Sequence, residues 1–238
     1  MMKPVIGVIG GAGVAATNSL LHIIENKITA EGAIRDCEHP EMIIYQATQT
    51  PSRSMYYEGR GESFIPGYIE IAKKLTAAGA TCLCMNCNTA HAAFEEISSA
   101  VDVPFINLIE RTAREINTRR WHSPGLLVSD GIRKMHVYDT YIARFCSSTV
   151  PLYPDMQGQK MVTAAICNMK NTKRNLPHSY CESPVYLVKH VIGDLKNDCD
   201  GFVLGCTDLH GCAFGENIID TTTLLAESII DYWRNGTL

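Results

Sequence analysis

The chain has 238 residues, 46% hydrophobic and 19% charged, with a net charge of −4 that is spread along its length without blocks. That balance suggests neither a nucleic-acid-binding patch nor a charged disordered tail, so a small anionic ligand has to be held by a few placed groups. The length suffices for one large α/β domain or for two smaller ones sharing an interface.

Met1-Met2-Lys3-Pro4-Val5-Ile6-Gly7 enters a strand pattern without a signal-peptide core, and no apolar run approaches the ~18 residues of a membrane span. A cytoplasmic protein with no nucleic-acid or membrane partner is expected. Residues 4–16 read as a buried strand, a glycine turn and a helix start. Gly11-Ala12-Gly13-Val14-Ala15-Ala16 matches a dinucleotide fingerprint, but the next strand, Met42 to Gln46, does not end in the acidic residue that would hold a ribose. The turn still offers backbone N–H groups to a carboxylate. A helix spans about Thr17 to Gly32, and Thr48 to Arg53 reads as a loop on the same edge as the glycine turn. Arg53 is there either as a solvated arginine or as a guanidinium fork for a carboxylate.

Residues 67–79 predict an amphipathic helix, Ala80 to Met85 a third strand, Ala90 to Val101 a helix, Val103 to Asn107 a fourth strand and Glu110 to Asn117 a helix. This alternation indicates a parallel sheet covered by helices on both faces. Arg119 to Pro124 breaks the pattern and marks a boundary. A second series follows: strand Gly125 to Ser129, helix Tyr138 to Phe145, short strand Thr149 to Tyr153, helix Lys160 to Lys173 and a loop over 174–183. Then come a helix from Val185 to Asn197, strand Gly201 to Gly205, Ile218 to Asp220, and a last helix, Thr222 to Arg234, packing back on the first half. The expected domains are 1–118 plus 215–238, and 119–214.

Ten cysteines are many for such a chain. In a reducing compartment most act as small buried hydrophobes, and Cys82 and Cys84, two apart in a strand, share one face. Cys87 and Cys206 differ because each stands where a strand ends and a helix is expected to begin, a place that favours a thiolate. Both are followed by a histidine at i+4, His91 and His210. A Cys₂His₂ zinc site from these four is one reading, although a histidine that far into a helix does not reach past its N-terminus. Cys84-Met85-Asn86-Cys87 has redox spacing, but its first thiol lies inside the strand. A lone nucleophile, Cys87 with His91, is a third reading. Proton transfer at carbon would use both cysteines, one thiolate removing an α-proton while a thiol on the opposite face delivers one.

At these residues the chain resembles the aspartate/glutamate racemase family, which works without pyridoxal phosphate. Ile6 to Gly13 with Ala16-Thr17 is similar to the family's opening. Cys87-Asn88-Thr89-Ala90-His91 and Gly205-Cys206-Thr207-Asp208-Leu209 are similar to its two cysteine signatures. Thr50-Pro51-Ser52-Arg53 resembles its arginine loop, Ile166 to Lys173 the helix carrying a substrate lysine, and Ile219-Asp220-Thr221-Thr222 its closing segment. The resemblance covers nearly the whole chain. It implies an α/β fold of two similar Rossmann-like domains with parallel-sheet cores, an active site in the cleft between them, and a homodimer. It also implies racemisation of an acidic amino acid, L-aspartate to D-aspartate, with no cofactor and no metal. Alternatives are a glutamate or broad-specificity racemase, or a non-catalytic zinc-binding protein. Carried over, Cys87 and Cys206 are the acid/base pair, and Asn88, Thr89 and Thr207 hold the α-carboxylate. Arg53 and Lys170 hold the distal carboxylate, Asp208 orients the ammonium group, and Gly11 lines the site.

Overall fold

The computed structural model describes residues 3–171 and 183–237. It divides into two units, Met1–Leu108 with Thr222–Leu238, and Ile109–Thr221. Among the described residues, no helix is long and apolar enough to cross a membrane.

The first unit is built on four parallel strands, β1 (Ile6–Gly10), β2 (Met42–Gln46), β3 (Cys82–Met85) and β4 (Phe105–Ile106), in the order β2-β1-β3-β4. A parallel strand covered on both sides is apolar throughout, and β1 and β3 are fully buried runs of that kind. Ile6, Val8, Cys82 and Cys84 pack with Leu20, Ile24 and Ile28 of α1 (Val14–Ala30) and with Leu225, Ile229 and Trp233 of the C-terminal helix Thr221–Asn235. The alternate residues Ile9, Leu83 and Met85 pack with Tyr68, Ile71 and Leu75 of a helix over Ile65–Ala77. Each such enclosed side chain contributes about 1.5–3 kcal/mol. Gly7 is required by this packing, since a Cβ there would lie 2.4 Å from Leu83 Cδ2.

Three parallel strands, β5 (Pro124–Val128), β6 (Gly201–Gly205) and β7 (Ile218–Asp220), form the second unit's sheet in the order β5-β6-β7. Leu127, Phe202 and Leu204 pack with Val162, Ala165 and Ile166 of the helix Met156–Asn171 and with Leu187, Val188 and Val191 of the helix Pro184–Leu195. Leu152 bridges in parallel to Gly125 on the free side of β5. The order Leu152-β5-β6-β7 therefore repeats β2-β1-β3-β4, and the third strand in chain order of each series leads to a cysteine, Cys87 or Cys206.

Several expectations are corrected. The divide runs at Leu108 and Thr221, not at 118 and 214. The helix Leu108–Thr118 joins the second unit, where Cys146 Sγ meets Ala113 O at 3.2 Å and Arg114 lies 4.4 Å from the Phe145 ring, and β7 joins it by pairing with β6. The short strand at Thr149 to Tyr153 is only the Leu152 bridge. The helix expected from Lys160 begins at Met156 because Asp155 Oδ1 accepts the Gly158 N–H at 2.7 Å, a cap that extends the first turn. Its expected end at Lys173, and the loop over 174–183 up to residue 182, lie outside the described residues.

Candidate active site

In the first unit the chain leaves β1 for β2 on one side and reaches β3 on the other, so the sheet has its topological switch between β1 and β3. Ligands of open α/β sheets bind beyond the C-terminal strand ends at such a point. The glycine turn leaves one of these strands and Cys87 the other. Gly11 has φ +78°, and a Cβ there would lie 2.5 Å from Ala47 N, so only glycine fits. Its N–H donates to Thr17 Oγ1 at 3.0 Å, and that hydroxyl donates to Gly13 O at 3.1 Å. The donor expected for a substrate carboxylate thus already has a partner, and Gly11 shapes the turn. Arg53 stands at the first position of a short helix, Arg53–Tyr57, not in a loop, because Ser52 Oγ caps it by accepting from Met55 N at 3.4 Å. Its Nη2 donates to Ala12 O at 2.8 Å and its Nη1 to Pro51 O at 3.2 Å, which fastens the guanidinium to the glycine turn.

Beyond β3, Asn86 N continues the ladder to Ile9 O at 3.1 Å, and half-buried Cys87 follows. Asn88 and Thr89 are buried beside it. In place of the expected helix from Ala90 to Val101 there is a 3₁₀ turn, Thr89–Ala93, and a short helix, Phe94–Ser98. Such short elements add up fewer peptide dipoles than a long helix, so the dipole argument for a thiolate weakens. His91 explains the departure. Its Nε2 accepts the Leu108 N–H at 3.1 Å, so the ring proton sits on Nδ1 and is donated to Cys87 O at 2.8 Å. Burial drives its pKa down to about 4, leaving a neutral ring that ties the Cys87 backbone to the exit of β4.

Cys206, half-buried, follows β6 directly and enters a 3₁₀ turn, Thr207–Leu209, with Thr207 and Asp208 buried. Asp208 Oδ2 lies 3.3 Å from Lys170 Nζ, so two expected substrate ligands face one another. His210 Nδ1 meets Asp220 Oδ2, at the end of β7, at 2.9 Å, and the Gly211 N–H reaches the same oxygen at 3.4 Å. The hydrogen bond that His210 donates to the Asp220 carboxylate raises the histidine's pKa. Each i+4 histidine therefore anchors its cysteine loop to the exit of the neighbouring strand, one as a neutral ring and the other through a hydrogen bond to a carboxylate.

A family model for the Asp/Glu/hydantoin racemases matches residues 6–229. The chain belongs to the Asp/Glu/hydantoin racemase family. The broad specificity amino-acid racemase RacX of Bacillus subtilis (strain 168) is 32% identical over 115 residues, 47% of this chain and 48% of that protein. The match thus spans about half the length of that curated relative. Among solved structures, the Picrophilus torridus aspartate racemase superposes with a TM-score of 0.83 at 22% identity, covering 97% of this chain and 94% of its own. An aspartate racemase homologue from Pyrococcus horikoshii OT3 gives 0.70 at 22% identity, covering 98% and 100%. These likenesses bear out the expected two-sheet α/β fold.

The zinc reading fares poorly in this racemase-family chain because both ring nitrogens of His91 are engaged, leaving none for a metal. The redox reading fails on Cys84, whose enclosed thiol is pushed far above its ordinary pKa by burial. Burial likewise pushes Cys82 and Cys212 up to about 12, in keeping with their part as hydrophobes. The sequence reading assigned no separate role to Thr17, named only within the opening motif, and did not point to three tyrosines whose charge environment includes a candidate cysteine: Tyr57 and Tyr68 with Cys87, Tyr138 with Cys206.

Proposed function

We propose that the protein racemises an acidic amino acid, converting L-aspartate to D-aspartate without pyridoxal phosphate, through Cys87 and Cys206. The observation that carries this reading is the matched setting of the two half-buried thiols, each just past the third strand of its series and each on a loop pinned by its own histidine. In this reading one sulfur, as thiolate, takes the α-proton and becomes a thiol. The bond's electron pair stays on the α-carbon and its carboxylate, and the other thiol gives its proton to the opposite face and becomes the thiolate. The reverse direction exchanges the two roles. Asn88, Thr89 and Thr207 would hold the α-carboxylate, and Arg53 and Lys170 the distal one, stabilising the extra negative charge of the transition state. The family resemblance adds a homodimer to this reading.

A second reading, a broad-specificity racemase, is favoured by the Lys170–Asp208 pair. A cation already beside a buried carboxylate attracts a second carboxylate less than one facing a neutral group. RacX, described as broad-specificity, supports it too. The deciding experiment is chiral chromatography of both enantiomers of aspartate, glutamate, alanine and lysine after incubation with protein stripped of pyridoxal phosphate. Aspartate turned over at least tenfold faster than alanine supports the first reading, and similar rates across the panel support the second. Inversion of none of them would overturn both.

A further inference from the structure

Tyr68 and Tyr138 are among the largest side chains that are completely enclosed. An enclosed phenol needs a partner for its hydroxyl, because an unmet donor removed from water is costly. Tyr138 has one in the side chain of Thr112. The Tyr68 hydroxyl has none among the described residues. Its ring stands edge-on to Phe64 with centroids 5.1 Å apart, and Phe64 meets Tyr56 at 5.8 Å and Tyr57 at 5.9 Å. Cys87 packs against this same cluster. Among the described residues, the ionisable groups in and beside this cluster include Arg53, Tyr56 and Tyr57 on the helix Arg53–Tyr57, Tyr68 on the helix Ile65–Ala77, Glu96 of the helix Phe94–Ser98 beside Tyr57, and neutral His91 behind the Cys87 carbonyl. Burial raises the pKa of both Tyr57 and Tyr68, so each keeps its O–H.

We propose that Tyr68 is a positioning residue for Cys87, its enclosed hydroxyl left uncommitted so that it donates to the sulfur when Cys87 becomes a thiolate. A thiol offers that hydroxyl only a weak acceptor, whereas a thiolate in a desolvated setting offers a charge-assisted one. The proton stays on the phenol throughout, and the tyrosine acts only by shifting the thiol's ionisation and holding its direction. A core tyrosine without this part would gain from losing an unmet hydroxyl and would leave the thiol unchanged.

Tyr68→Phe keeps the ring and removes only the oxygen. The readout is the rate of iodoacetamide alkylation of Cys87 against pH, followed residue by residue by peptide mass spectrometry, together with the thermal midpoint. It needs no substrate, so it stands or falls apart from the racemase reading. The expected result is a Cys87 alkylation profile displaced to higher pH by about one unit, roughly a tenfold loss of thiolate at a given pH. The Cys206 profile stays in place, and the thermal midpoint is level or higher. Tyr138→Phe, which removes the hydrogen bond between the Tyr138 hydroxyl and the Thr112 side chain, is expected to lower the thermal midpoint and leave the Cys87 profile unmoved. A Tyr68→Phe protein whose Cys87 titrates as in the wild type would overturn the proposal, whatever its thermal midpoint.

Discussion

Cys87→Ser and Cys206→Ser are each expected to lower racemisation of both aspartate enantiomers by about 10²–10⁴-fold, the range over which a placed acid or base contributes. Serine keeps the size of cysteine, but its hydroxyl is far too weak an acid to lose its proton near neutral pH. Every inversion needs one group on each face of the α-carbon, so a single replacement stops both directions. Each variant should nevertheless still exchange the α-hydrogen of the one enantiomer that faces its remaining thiol. Both side chains are half-buried, so thermal midpoints should stay within a few degrees of the wild type. Chiral chromatography beside proton NMR in heavy water checks both parts, and full racemisation by either variant would contradict the roles assigned.

The second large effect is expected at His91. His91→Leu would remove the ring's hydrogen bonds to the Cys87 carbonyl and the Leu108 N–H in the interior, at a cost of about 1–3 kcal/mol each. The wild-type ring also gives stability a pH dependence of defined sign. Its folded pKa is lowered to about 4 from a reference of 6.5, so between those values the unfolded chain binds the proton and the folded chain does not. The ring's contribution is therefore complete above pH 6.5 and is lost as the pH falls through the folded value, by on the order of 3 kcal/mol. His210 works in the opposite sense. Its folded pKa is raised, so its contribution is complete below the unfolded value and disappears as the pH rises through the folded one. Urea unfolding of the wild type and His91→Leu at pH 7 and pH 4.5 separates the effects. The gap between the two proteins should narrow at the lower pH, and a constant gap would show that His91 does not titrate as described.

The strands and the two cysteines were readable because buried parallel strands leave continuous apolar runs, and Ile6 to Gly10 and Gly201 to Gly205 need no distant partner to be recognised. The residues that set the site were not readable to the same degree. Arg53 looked like a loop residue because its helix lasts barely more than a turn and rests on one capping serine. His91 and His210 stood out only as a repeated spacing, since their partners, Leu108 and Asp220, come from the next strand's exit. Tyr68 fits the apolar stripe of its helix, and only the enclosed fold shows a hydroxyl without a partner. Local pattern carries the scaffold, whereas the site's fixing bonds join residues remote along the chain.

The two-base account is tested most directly by the isotope content of substrate and product early in the reaction of L-aspartate in heavy water. Separate groups on the two faces should place one deuterium on the α-carbon of nearly all the D-aspartate formed, while the remaining L-aspartate keeps its protium. A single shared base would carry substrate hydrogen into the product or deuterate both pools together, and that result would contradict the account.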